Sequence, residues 1–321
     1  MRWTLLLLAF NLAAQDDAAE RRRRMREEFV KRNPPRDSIG VTALSDGATY
    51  KNEEGGLYPG GSNTMPAAHR NRGLDLARSI RPLDADGRAS DAGKVVMVST
   101  GMSNTTQESQ AFAKLLAESA VNPRFLFVDC AQGGQTAQVT ANPQANYWKV
   151  AEERLAGAGV TANQVQVAWL KQANAGPTAP FPQEARRLHR DIVMTLHNLH
   201  AKYTNLKIVY LSSRIYAGYA STPLNPEPHA FETGFAVKWT VAAQIAGDPE
   251  LAPHRAPWIA WGPYLWADGV KGRKPGSLTW EREDLAEDGT HPAPSGRIKV
   301  ARLLFEFLRD EPTARTWFLP R

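Results

Sequence analysis

The chain has 321 residues, of which 42% are hydrophobic and one is cysteine, and its formal net charge is +6. That length exceeds the usual single domain but stays within the range over which α/β folds remain one unit. The lone Cys130 excludes an intramolecular disulfide, and without a CxxC motif or clustered Cys and His no structural zinc is expected.

Residues 1–15, MRWTLLLLAFNLAAQ, join one basic residue and a short apolar run to the small residues Ala13 and Ala14, the pattern of a cleaved export signal. The run is too short to span a bilayer as a helix, so a secreted or periplasmic protein without integral membrane association is expected. Residues 16–36 read as a charged helix. Glu20, Glu27 and Glu28 interleave with Arg21 to Arg24 as helix neighbours do, which makes a solvated face rather than a nucleic-acid grip. Residues 37–321 are expected to form one domain. Its first part, 37–91, is dense in Gly, Pro and polar residues and reads as an ordered loop layer on the sheet, with one helix at Arg72 to Ile80 and Tyr50, Leu57 and Tyr58 to bury.

From residue 92 the pattern changes to apolar runs separated by amphipathic stretches. Strands are predicted at Lys94 to Ser99, Arg124 to Asp129, Gln164 to Leu170, Leu206 to Ser212 and Ala256 to Trp261. Helices are predicted at Gln107 to Ser119, Ala145 to Ala158, Pro182 to Lys202, Glu232 to Ala246 and Pro294 to Leu308. This alternation predicts a three-layer α/β/α sandwich around a mainly parallel five-stranded sheet, with any site at the carboxyl ends of the strands.

Polar clusters follow the strands directly. After the first comes Gly101-Met102-Ser103-Asn104, where a serine at a strand-to-helix turn lies beside unpaired helix N–H groups, although serine there often serves only as a cap. After the second, Gly133-Gly134-Gln135-Thr136 lets backbone N–H groups approach a bound oxygen, or makes an ordinary turn. Asn174, after the third, has an amide able to donate to the same oxygen, or is a turn residue before Gly176-Pro177. Near the C-terminus Asp288-Gly289-Thr290-His291 places an Asp three residues before a His, so the carboxylate can accept from Nδ1 and leave Nε2 to take a proton from serine. The other six histidines have no comparable partner, and a metal at His197 and His200 lacks further ligands.

Taken in this order, the four clusters resemble the signature blocks of the SGNH (GDSL-like) hydrolases over Lys94 to Asp310. The resemblance implies Ser103 as nucleophile, His291 as base, Asp288 as its partner, and an oxyanion hole from the Ser103 N–H, Gly134 and Asn174. Gly134 is preferred to Gly133 because Gly134-Gln135-Thr136 matches the family's Gly-x-Thr. Two positions depart from the pattern: Met102 stands where the family has Asp, and Gln172 where it has Gly.

The expected activity is that of a cofactor-free serine esterase acting through an acyl-enzyme. Arg214 and Tyr216 after the fourth strand, with Trp261, Tyr264 and Trp266 around the fifth, are candidates for substrate binding; the alternative for the aromatics is to cap the core, and for Arg214 to brace the loops by bonding backbone carbonyls. Together these readings point to short-chain acyl esters, on small molecules or polysaccharide, with no obligate protein partner. A broad aryl-esterase or thioesterase, or a catalytically silent carbohydrate-binding protein, are the alternatives.

Overall fold

The structure is a computed structural model that describes residues 18–274 and 278–320; the leader-like segment 1–15 lies outside the described residues. The five apolar runs form one sheet: β1 (Val95–Gly101), β2 (Phe125–Asp129), β3 (Val165–Lys171), β4 (Ile208–Leu211) and β5 (Trp258–Trp261). Every pairing is parallel and the order is β2-β1-β3-β4-β5. β1, β3, β4 and β5 are buried along their whole length, as strands covered on both faces must be, which is why they read as unbroken apolar runs. The chain leaves β1 for one edge and then crosses back to β3. This reversal opens a crevice between the carboxyl ends of those two strands.

Helix α1 covers 18–32, within the charged stretch. The others are α2 (Ala67–Ser79), α3 (Ser103–Ala117), α4 (Ala137–Ala141), α5 (Asn146–Gly157), α6 (Gln183–Lys202), α7 (His229–Ala246), α8 (Pro294–Asp310) and α9 (Pro312–Phe318). α3 packs on α8, and α9 on both α2 and α8, while α4 packs on α5 and α6, and α6 on α7. These two sets cover opposite faces and give the expected α/β/α layers. Sequence periodicity missed α4 and α9, both too short to show a period. α9 nevertheless carries a local signal, Pro312 at its first position and the Glu311 carboxylate accepting from the Thr313 N–H. α3 starts at Ser103, four residues before its predicted start, because the polar run there forms the first helical turn.

Residues 33–66 are irregular and cover the β4–β5 side. The Lys238 ammonium on α7 donates to the Glu54 and Gly55 carbonyls, at 2.6 Å each. Trp261 Nε1 donates to the Leu57 carbonyl at 2.6 Å, and Tyr216 Oη to that of Arg36 at 2.7 Å. One hydrophobic core runs from Ala43 through the sheet to Phe318.

Beneath the crevice lies a buried ion pair. Lys171, at the end of β3, places Nζ at 2.5 and 2.6 Å from the two carboxylate oxygens of Glu108 on α3, and both side chains are essentially inaccessible. Burial pushes the Lys171 ammonium down to about 8 and the Glu108 carboxyl upward, and each opposes the other's shift by its charge. Removing one partner strands the other. Glu108→Ala is therefore expected to cost about 3–5 kcal/mol of stability, measured by urea unfolding; a loss below about 1 kcal/mol would mean that the pair is already uncharged.

Candidate active site

Ser103 owes its position to Gly101. A Cβ at Gly101 would lie 2.3 Å from Thr105 Oγ1 and 2.4 Å from the Lys171 carbonyl, so no larger residue fits without displacing α3 or β3. Thr105 Oγ1 instead donates to that carbonyl at 2.8 Å and locks the start of α3 onto β3. Met102 is extended (φ −94°, ψ −164°), and the helix begins at the next residue. Among the described residues, the Ser103 backbone N–H donates to no group, as befits the first turn of a helix.

The Asp288–His291 loop meets this turn. Ser103 Oγ lies 2.8 Å from His291 Nε2, and His291 Nδ1 lies 2.5 Å from Asp288 Oδ2. The bond to Asp288 keeps the proton on Nδ1 and leaves Nε2 as the acceptor facing the serine. Asp288 Oδ1 accepts from the N–H groups of Thr290 and His291, both at 3.0 Å. Burial alone would raise this carboxyl, but the His291 ring and those two N–H groups hold it well below the usual carboxylate range. The result is a partly exposed chain of hydroxyl, imidazole and ionised carboxylate, in a geometry suited to proton transfer from serine.

Two buried side chains tie this loop to the nucleophile turn. Asn104 Nδ2 donates to the Thr290 carbonyl at 3.0 Å, and Arg214 Nη2 approaches the same oxygen at 3.4 Å. From the other side, the Ser221 N–H and hydroxyl donate to the Asp288 carbonyl at 2.8 and 3.2 Å. Sequence reasoning did not single out Asn104 or Ser221. Asn104 had one usable signal, its place beside Ser103; Ser221 had none.

The predicted oxyanion donors are placed differently from one another. A Cβ on Gly133 would lie 4.0 Å from Ser103 Cβ, so Gly133 borders the serine, whereas Gly134 has open space around it and turns the chain at φ +74°. Among the described residues neither glycine's N–H donates to another group. Asn174 is buried, and its Nδ2 gives one hydrogen to Asp191 Oδ2 on α6 at 3.0 Å, which leaves the amide's second hydrogen available. Gln172 donates to the Gln135 carbonyl at 3.2 Å and to Thr140 Oγ1 at 3.1 Å, so the loops that carry the glycines and Asn174 are joined.

The five residues predicted to bind substrate are placed otherwise. Arg214, Tyr216, Trp261, Tyr264 and Trp266 are each at most 4% exposed, and most of their polar atoms meet protein groups: Tyr264 Oη accepts from the Leu44 N–H, Trp266 Nε1 donates to Glu227, and Arg214 Nε alone is buried without a hydrogen bond. They seal the 33–66 layer against the sheet and brace the His291 loop, so they offer no face to a ligand. Burial also pushes the Cys130 thiol up to about 12, which leaves it inert as a nucleophile. Among the described residues no cluster of three or more His, Cys, Asp or Glu is arranged to hold a metal, and no helix is long and apolar enough to cross a membrane.

No protein-family model and no curated protein matches the sequence. Among solved structures the chain is similar to Bacillus subtilis YxiM (14% identity, TM-score 0.38, 67% of this chain and 56% of that one). It thus spans little more than half of that protein's length. It is also similar to the periplasmic domain of a Salmonella Paratyphi A lipopolysaccharide acetyltransferase (10% identity, TM-score 0.36, 78% of this chain and 98% of that one). A third is an extracellular lipase from Streptomyces rimosus (13% identity, TM-score 0.31, 65% of this chain and 99% of that one). These likenesses lie in the α/β fold alone. In the order of its four sequence blocks, the chain resembles the SGNH hydrolases.

The depressed Asp288 carboxyl has a consequence for stability. Its contribution is present above the unfolded carboxylate value, ~4, and is lost as pH falls through the lower folded value. Wild type and Asp288→Asn should therefore differ in urea midpoint near neutral pH and converge in acid below about pH 4. A difference that does not change with pH would contradict an ionised Asp288.

Proposed function

We propose that the chain is a serine esterase in which Ser103 attacks an ester carbonyl, His291 accepts the serine proton and passes it to the leaving alcohol, and Asp288 orients and stabilises the imidazolium. Water activated by His291 then releases the acid from the acyl-enzyme. One observation carries this reading: Ser103 Oγ, His291 and Asp288 stand in a continuous hydrogen-bonded chain, at 2.8 and 2.5 Å. The unpaired N–H groups of Ser103 and of the Gly133-Gly134 turn, with the second hydrogen of Asn174, are the donors we assign to the developing oxyanion.

The large cavities among the described residues do not open onto Ser103. Two cavities of about 650 and 450 Å³ are lined by neither Ser103 nor His291, so neither is an acyl tunnel for this serine. We take the acyl group to be short-chain and acetyl-type, as expected from the sequence. Because the buried aromatics cannot stack on sugars, acetylated glycan is an alcohol partner to be tried rather than one that those residues select. Export to the periplasm or medium is proposed on the sequence of residues 1–15 alone. We also take 37–321 to be one hydrolase domain, since a single core serves it.

The test is hydrolysis of p-nitrophenyl acetate, butyrate and octanoate by wild type and Ser103→Ala. Turnover of the acetate should exceed that of the octanoate, and the variant should lose on the order of 1,000-fold or more in kcat. Equal rates for both proteins on every ester would refute the nucleophile assignment.

A further inference from the structure

Behind Asn174 lies a small cavity of about 20 Å³, whose polar lining comes from Asn174, Glu184, Asn225, His229, Glu232 and Thr233. Asn174, Asn225 and Glu232 are each at least 95% buried. Four atoms there are buried without a hydrogen-bond partner: Asn174 Oδ1, Asn225 Oδ1, Glu232 Oε2 and His229 Nδ1. A buried polar atom without a hydrogen-bond partner is costly, so this cluster around one cavity calls for an occupant.

Orientation of the amides follows from their other bonds. Asn174 Nδ2 donates to Asp191, and Asn225 Nδ2 donates to the Asn174 carbonyl at 3.2 Å, so both Oδ1 atoms are the free acceptors. Glu232 Oε1 is already occupied, by Tyr50 Oη at 2.8 Å and by Lys51 Nζ at 3.1 Å, and these partners with His229 hold the carboxyl ionised despite its burial. The two amide oxygens therefore need a donor, while Glu232 Oε2 and His229 Nδ1 face each other at 3.3 Å without an aligned hydrogen bond.

We propose that this cavity is a binding site for a single structural water that donates to two of the three oxygens and accepts from His229 Nδ1. The volume suits one water, which needs a cavity of roughly 10–15 Å³ and two to four polar partners. A metal ion fits less well, because two of the acceptors are neutral amide oxygens and the Lys51 ammonium already pairs with Glu232. The water ties the loop after β3 to α7 and fixes the plane of the Asn174 amide, and with it the direction of its second Nδ2 hydrogen. This consequence rests on the oxyanion role proposed for Asn174; occupancy of the cavity does not.

Two measurements keep these claims separate. A crystal structure of the full chain, at a resolution that shows ordered water, should contain one peak within hydrogen-bond reach of at least three of the four atoms. An empty cavity, or a peak that thallium acetate replaces with an anomalous scatterer, overturns the water. Next, Asn225→Leu, which removes one acceptor and fills the space, should lower kcat on p-nitrophenyl acetate roughly 10-fold with KM unchanged. Asn225→Ser, which keeps a hydroxyl for the water, should recover most of that loss. If Asn225→Leu folds, lacks the water in its own crystal structure and keeps wild-type kcat, the positioning role is wrong. If wild type itself hydrolyses no ester, the esterase reading fails while the peak still decides the site.

Discussion

Ser103 and His291 are 188 residues apart in the chain, and beyond the packing of α3 on α8 the register between the segments that carry them is set at one carbonyl oxygen. That oxygen belongs to Thr290. Asn104, from the nucleophile helix, and Arg214, from the end of β4, both donate to it, so the His291 backbone is referred to two rigid elements at once. A tolerance of a few tenths of an ångström between Oγ and Nε2 is a property of such joints rather than of the serine and histidine themselves. Ser221 completes the arrangement by holding the carbonyl of Asp288 from behind.

Using a buried arginine as a clamp has electrostatic consequences through the whole lower half of the site. Burial pulls the Arg214 guanidinium down, and the charges of Glu108, Glu227 and Asp288 oppose that pull. Glu108 is shared with Lys171, so α3, β3 and the loop after β4 are bound into one charge network under the crevice. Glu227 is itself pushed up to about 7 by burial, and hydrogen bonds from Trp266 and from the N–H groups of Ala217 and Phe231 resist the shift. Each of these groups is tolerable in the interior only while its partners are in place, so the site and the fold beneath it are stabilised together.

Much of this was legible in the sequence, and the limits have physical causes. Doubly covered strands must be apolar throughout, which made β1 to β5 visible as runs, and the Asp-x-x-His spacing fixes a local hydrogen-bond geometry that needs no tertiary information. The aromatics around β5 were misread for the opposite reason. Whether Trp261 meets solvent depends on Leu57, about 200 residues earlier, and nothing near Trp261 records that cover. Arg214 likewise reads as a ligand-binding cation until the Thr290 carbonyl and Glu108 are seen around it. The preference for Gly134 rested on a motif, whereas proximity to Ser103 belongs to Gly133.

The two departures from the SGNH pattern can be understood in the same terms. Met102 is buried at the strand-to-helix turn, where it can pack but makes no polar link. The polar link to the His291 loop is made by its second neighbour, Asn104, whose side chain reaches Thr290 from the first turn of α3. At the third block a glycine would leave the loop after β3 free to shift against the Gly133-Gly134 turn. Gln172 instead bonds to Gln135 and Thr140 and fixes one loop to the other. A polar side chain absent at Met102 and one gained at Gln172 thus leave the Ser103 turn tied both to the His291 loop and, through the loop after β3, to the Gly133-Gly134 turn.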